Sequence, residues 1–402
     1  MTDTNWIDAA GRVLADTYKR FPVVFESGRG ATLTDNQGKQ YTDFVAGIAV
    51  CNLGHANSGV AAALSHQAER LFHVSNLFYT MPQVELARHL VDRSFADRVF
   101  FCNSGAEANE AAIKLARKNF FDRGQHNRWR IVAMDLSFHG RTYATLSATG
   151  QKRVREGFEP ILEGFDFVDF NDIDALKQGI TENTCAVLLE PVQGEGGVVC
   201  ADPDYLRAVR KLCDETGTIL IYDEIQTGIG RTGRLFAYEH YGVEPDIMTL
   251  AKALGNGLPI GAMLAREDIC RAFTPGSHAS TFGGTPVVTA AALEVLRQIE
   301  RNDILGYTCK TGEYFKTRLQ WLKERHDIVE DVRGIGLMLG MRLSVPGAPV
   351  VSACLESGYL INCTQEYTLR FIPPLIITRE QVDGLIGCLD EILGDAAGGV
   401  AK

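Results

Sequence analysis

No Cys-x-x-Cys pair occurs in the chain, although it carries ten cysteines spread from Cys51 to Cys388. A zinc ribbon or a thioredoxin-like centre is therefore not encoded, and scattered thiols in a chain of this size read as small, reduced core residues. No metal site is expected. There is no excess of basic charge either. The formal net charge is −10, which argues against a protein that grips a nucleic-acid backbone. Nowhere do about 18 apolar residues follow one another, the length a membrane helix needs. The first twenty residues lack the basic-then-apolar layout of a secretory signal, so the cytoplasm is the expected address. Repeats, low-complexity tracts and long Pro/Ser linkers are missing too. A Walker phosphate loop is absent, and GIGRTG (Gly228–Gly233) lacks the strand–helix setting of a dinucleotide fingerprint.

What remains is an ordinary globular mix of 46% apolar and 22% charged residues over 402 positions, enough for two or three domains. After a short helix, the first 45 residues turn Gly/Asp-rich and extended. From about 80 to 300, helical patterns (Pro82–Ser94, Ala106–Phe121, Asp202–Thr216, Pro286–Glu300) alternate with short apolar strands. Those are Val99–Cys102, Arg130–Met134, Ala186–Leu189, Ile219–Tyr222, Ile247–Leu250 and Ala262–Ala265. Strands apolar on both faces, alternating with helices, predict an α/β domain with a mostly parallel sheet covered on both sides. Beyond 300, a long helix (Leu305–Glu324), strands near Val329–Arg333, Met338–Leu343, Leu360–Cys363 and Leu369–Ile372, and a last helix (Arg379–Leu393) predict a smaller α+β domain. The expected division is 1–45 as an N-terminal segment joining the small domain, 46–300 as the large domain, and 301–402 as the small one.

Three segments could carry chemistry. In CNSGAEANEAAIKLARKNF (Cys102–Phe120), Ser104 and Glu107 form a capping box, and Gly105 allows close backbone approach. A strand that enters a helix through Ser-Gly-Ala presents free N–H groups to an anion, although a well-capped helix alone explains the same residues. In LIYDEIQTG, the strand ends in Asp223 and Glu224, where open parallel sheets bind ligands; such acids hold a metal or pair with a cationic ring nitrogen. In DIMTLAKALGNG, Lys252 follows a buried strand. An apolar setting lowers a lysine's pKa and frees its amine for Schiff-base chemistry, while a loop-start lysine on the surface is the plain alternative. Arg141 and Arg370 offer planar forks suited to carboxylates.

The ordered set SGAEANEAAIKLAR, FHGRT, EPVQGEGG, DEIQTGIGRTG, LAKALGNGLPIGA and STFGG resembles the class III pyridoxal 5′-phosphate (PLP)-dependent aminotransferases of fold type I. The likeness is greatest to the acetylornithine/ornithine group, and it runs from Asp35 to Leu375. The resemblance implies PLP as cofactor, with Lys252 as the Schiff-base lysine and Asp223 as partner of the pyridine nitrogen. It places Gln226 near the ring hydroxyl, Ser104, Gly105 and Ala106 at the phosphate, and Phe138 stacked on the ring beside His139. Glu224 and Ile225 lie in the same cofactor-binding run. Thr281 matches a phosphate contact, and Ser280 a substrate contact, that come from a neighbouring subunit, so a homodimer with shared sites is implied. Arg141 matches the fork for the donor's α-carboxylate, Arg370 the fork for that of 2-oxoglutarate or glutamate, and Glu195 a switch covering Arg370 while the first donor is bound. The implied reaction is ping-pong transfer of a δ-amino group from N-acetylornithine to 2-oxoglutarate, in arginine biosynthesis. Ornithine, succinylornithine and 4-aminobutyrate remain alternative donors, and a PLP aminomutase or a catalytically dead scaffold remain other classes. Two stretches depart from the family pattern: GHANSGV, with Asn57 and Ser58, and SHASTFGGTP, with Ala279 and Thr285. Both are expected near the interface pocket, where they put the donor in question. Val50 and Asn52 offer no tyrosine at the pocket mouth, which favours an acylated donor.

Overall fold

The computed structural model describes residues 5–400. At its centre is a seven-stranded sheet in the order Arg98–Cys102, Gly261–Ala265, Ile247–Leu250, Ile219–Asp223, Thr184–Leu189, Arg130–Met134, Phe165–Val168. Six strands run parallel. Gly261–Ala265 alone is antiparallel to both of its neighbours. The strands Thr184–Leu189, Ile219–Asp223 and Ile247–Leu250 are buried along their whole length, because helices cover both faces and leave no polar side to alternate with.

The helix Gly105–Asp122 packs its Ala108, Ala112, Leu115 and Ala116 against this sheet, and Ser104 caps its start. The helix Pro203–Thr216 starts at Asp202, whose carboxylate accepts from the N–H groups of Asp204 and Tyr205. It stops at Gly217, whose φ of 63° suits a residue without Cβ.

The sheet has one strand that the apolar pattern does not reveal. Phe165–Val168 is the edge strand, half-buried throughout, with Asp166 pairing Arg130. An edge position tolerates the polar residues that hide it in the sequence.

The Gly/Asp-rich N-terminal stretch is an antiparallel meander, Phe25–Arg29, Thr32–Asp35 and Gln40–Asp43. Its last strand is joined in parallel by Tyr359–Leu360 from near the C-terminus. The single strand expected at Leu360–Cys363 is therefore two. Buried Ile361 divides Tyr359–Leu360, in the N-terminal sheet, from Asn362–Thr364, in the sheet formed with Thr368–Phe371, Met338–Leu343 and Val329–Ile335. Helix Ile304–Arg325 packs on that sheet, and Arg379–Val400 packs against that helix and against helix Ala348–Glu356. Among the described residues, no helix is long and apolar enough to cross a membrane.

Candidate active site

The carboxyl ends of the central strands open into a cavity of about 470 Å³. Its lining includes Ser104, Gly105, Ala106, Phe138, Arg141, Asp223, Ile225, Gln226 and Lys252, residues drawn from segments far apart in the chain. The helix Gly105–Asp122 points its N-terminus into this space. The first N–H groups of a helix have no intrahelical partner, and they carry the positive end of the dipole. A Cβ on Gly105 would lie 2.8 Å from the Ile225 side chain, so any larger residue there would have to push Ile225 aside. Anion binding at this end needs no further device.

Lys252 follows the strand Ile247–Leu250 with φ of 43°, a left-handed backbone uncommon for a residue with a side chain. Burial lowers its pKa, with Arg370 adding to that effect and Glu195, Asp223 and Glu190 opposing it. The amine is thus biased towards its neutral, nucleophilic form.

Asp223 and Glu224 adjoin in sequence and diverge in space, since successive side chains at a strand end point to opposite sides. Asp223 is 4% exposed and lines the cavity. Its Oδ2 accepts from Asn109 Nδ2 at 2.7 Å and pairs with His139 Nδ1 at 2.8 Å; its Oδ1 accepts from the Ile225 N–H at 3.0 Å. Glu224, expected among the cofactor contacts, turns away. Its carboxylate accepts from the N–H groups of Ala237 and Tyr238 and from the Thr227 hydroxyl. Burial pushes its pKa up to about 7 against those donors. Its side chain holds the start of the short helical turn Ala237–His240 rather than facing the cavity.

Arg370 is 1% exposed and sits on the strand Thr368–Phe371. It donates to Glu195 at 2.6 Å and to Gln226 Oε1 at 3.2 Å. Burial raises the Glu195 carboxyl, but Arg370 and, further off, Lys252 outweigh it and hold the pKa below the usual value. Arg141, by contrast, is exposed over the Phe138 ring, its guanidinium carbon 5.6 Å from the ring centroid, and has no ion-pair partner among the described residues.

Ser280 and Thr281 do not line this cavity. Ser280 Oγ accepts from Asn103 Nδ2 at 3.2 Å, and Asn103 does line it. Thr281 is exposed on a loop tied by Asn76 to the segment Leu71–Met81. Val50 is at the cavity wall, whereas Asn52 is not: it is fully buried, donates to Ile229 O and receives Arg231. Asn57 serves as the N-cap of the helix Ser58–Ala68 and exchanges two hydrogen bonds with Gln298. Thr285 donates to Phe72 O. Of the departures from the family pattern, Asn57 and Thr285 thus have local hydrogen-bonding roles.

Residues not singled out in the sequence also gather here. Glu190 lines the cavity, accepts from the N–H groups of Phe138 and Gly194, and is raised by burial. Asn109 lies one turn beyond Gly105 and is fully buried. A polar residue on the apolar face of a helix is the signal that could have found it.

The family profile described as Aminotransferase class-III matches residues 13–393. An acetylornithine aminotransferase of Methanocaldococcus jannaschii is 50% identical, over 98% of this chain and 98% of its own. One from Aquifex aeolicus is 48% identical, over 94% and 99%. Among solved structures, the ornithine aminotransferase of Toxoplasma gondii superposes with a TM-score of 0.94 at 33% identity, over 98% of this chain and 96% of that one. The acetylornithine aminotransferase of Elizabethkingia anophelis gives 0.87 at 31%, over 97% and 98%. The chain belongs to the class III aminotransferases, with their PLP fold, and is a PLP-dependent transaminase. The residues present fit that cofactor: a helix N-terminus for a phosphate, a buried carboxylate for a ring nitrogen, and a lysine amine freed by its surroundings.

Proposed function

We propose that the protein transfers the δ-amino group of N-acetylornithine to 2-oxoglutarate, giving glutamate, in a ping-pong cycle of arginine biosynthesis. The observation that carries this reading is the covered fork: Arg370, buried and held by Glu195 at 2.6 Å, beside an unpaired Arg141. Arg141 lines the cavity, and Arg370 lies behind the wall, bonded to the lining residue Gln226; two forks so placed, the inner one masked, suit two substrates whose reacting groups stand at different distances from an α-carboxylate.

In this reading Lys252 is the anchor, the N–H groups of Gly105 and Ala106 with Ser104 hold the phosphate, Asp223 faces the ring nitrogen, Gln226 lies near the ring hydroxyl, and Phe138 covers a ring face. Bound PLP supplies the carbonyl that takes the amine and the cationic ring that absorbs electrons as a C–H proton leaves. Lys252 Nζ accepts that proton and returns it, a task helped by the burial that lowers its pKa. Arg141 holds the donor's α-carboxylate at the mouth and leaves the far amine at the floor. Glu195 stays on Arg370 during this half. When 2-oxoglutarate arrives, Glu195 yields, and Arg370 takes its α-carboxylate. Val50 gives the wall no hydroxyl for a charged α-amine, which suits an acylated donor, as do the names of the relatives. Ornithine is the second reading, favoured by the names of some structural neighbours.

A homodimer completes this reading. Leu77, Phe78, Tyr79, Met81 and Phe282 are all more than three-fifths exposed. Asn76 joins their two loops into one apolar platform that also carries Ser280 and Thr281. Such a platform marks a protein interface, and a second copy docked there would receive Thr281 at its phosphate site and Ser280 at its substrate site. We assign residues 1–45 and 301–402 to a small domain and 46–300 to the large one, supported by the pairing of Gln40–Asp43 with Tyr359–Leu360. The cysteines described are all free, which suits a reducing compartment such as the cytoplasm.

Steady-state assay of glutamate formation tests the reading. Turnover of N-acetylornithine that depends on added 2-oxoglutarate, one glutamate per donor consumed, is expected. Turnover without any keto acid would point to an aminomutase and overturn it.

A further inference from the structure

Asn109 makes three hydrogen bonds in a fully buried position. Its Nδ2 donates to Asp223 Oδ2 at 2.7 Å and to His139 O at 2.8 Å, while its Oδ1 accepts from Thr249 Oγ1 at 2.8 Å. The amide can sit only one way round. Turned over, its oxygen would face a carboxylate and a carbonyl, two acceptors with no proton between them. Thr249 is also fully buried, on the strand beside Asp223 and in register with it. A hydroxyl in the strand Ile247–Leu250, whose other side chains are apolar, has no packing reason to be there.

The consequence for Asp223 follows by counting. A carboxylate offers about four lone-pair directions. Asn109 and His139 occupy both on Oδ2, and the Ile225 N–H takes one on Oδ1. One direction on Oδ1 is left for a partner. We propose that Thr249 and Asn109 form a positioning relay: the Thr249 hydroxyl sets the Asn109 amide, and the amide fixes Asp223 as an acceptor with one vacancy, suited to a single cationic N–H. The relay rests on the assignment of Asp223 to the cofactor's ring nitrogen. Neither residue lines the cavity, so they act on the reaction through the two lining residues that Asn109 holds, Asp223 and His139.

The variant Thr249→Val keeps shape and removes the donor; Thr249→Ser restores it. Loss of the donor leaves Asn109 Oδ1 buried without a partner, so the amide is held only at its NH2 end. The test is titration of PLP into the apo-protein, together with the pH midpoint of the loaded protein's visible absorbance and the melting temperature of the apo-protein. The expected result for Thr249→Val is PLP affinity reduced roughly three- to tenfold and a midpoint raised by about half a pH unit, because a ring with less positive charge releases a neighbouring proton less readily. Thr249→Ser should restore both, and Asn109→Ala should reproduce the loss. Affinity and midpoint unchanged in Thr249→Val and Asn109→Ala, with only the melting temperature lowered, would reduce the pair to ordinary packing and overturn the relay. Asp223→Ala separates the two ideas. If Asp223→Ala loses affinity and shifts the midpoint while Thr249→Val does neither, the relay fails and the assignment of Asp223 stands. If Asp223→Ala changes neither, that assignment itself fails.

Discussion

Asp223 is 4% exposed and meets three donors, whereas Thr281 is exposed and lines no part of the cavity that its own chain forms. The same contrast divides the whole site. Its floor, with Lys252, Asp223 and Gln226 and with Arg370 behind it, stands on buried strand ends and short turns of one chain, where packing leaves each side chain little freedom. Its rim is assembled from exposed loops: Arg141 without a carboxylate, Ser280 at one remove through Asn103, and an apolar platform facing solvent. The floor is set for chemistry common to every donor, and the rim, where donors differ, waits on substrate and, in the proposed dimer, on a second copy.

The sharpest way to break this division is at the floor. Lys252→Ala should lower turnover by at least about 10⁴-fold, since it removes both the cofactor's anchor and the proton carrier; glutamate production measured with the melting temperature unchanged checks this. Arg370→Ala should slow the 2-oxoglutarate half-reaction by about 10²-fold or more and the donor half by less than about tenfold. Single-turnover absorbance on each half separates them, and equal losses would contradict a fork reserved for one substrate. At the rim, Leu77→Asp with Phe78→Asp should dissociate the dimer and lower activity roughly tenfold at assay dilution. Sedimentation at matched concentrations reads the assembly directly, and a dimer that survives both charges would move the interface elsewhere.

The smallest effect lies outside the site. His55 pairs with Asp43 at 2.7 Å, an interaction that, with Cys51 adding and burial opposing, raises its pKa from 6.5 to about 9. A raised histidine pKa contributes stability that is complete below 6.5 and is lost as pH rises through 9. The melting temperature should therefore fall by a few degrees between those limits, and His55→Gln should flatten that slope.

The floor was largely legible in the sequence because its demands are local. A strand that must end in a carboxylate, a glycine where a Cβ would strike Ile225, and a lysine after a fully buried strand each leave a mark within a few residues. Glu224 was misread because adjacency on a strand says nothing about which side a residue faces until the register is known. Asn109, Thr249 and Glu190 were passed over since each acts through residues distant in the chain. The edge strand Phe165–Val168 and the break at Ile361 escaped for a similar reason: their pairing partners, not their own composition, define them.

The most direct test of the account is a donor screen on the PLP-loaded enzyme without keto acid. N-acetylornithine, ornithine, N-succinylornithine and 4-aminobutyrate would be mixed separately with it and the loss of the bound cofactor's visible band followed in time. The account predicts that N-acetylornithine bleaches the band far faster than the other three. Faster bleaching by ornithine, or by either remaining amine, would contradict the proposed donor, and absence of any visible band in the PLP-loaded protein would contradict Lys252 as the anchor.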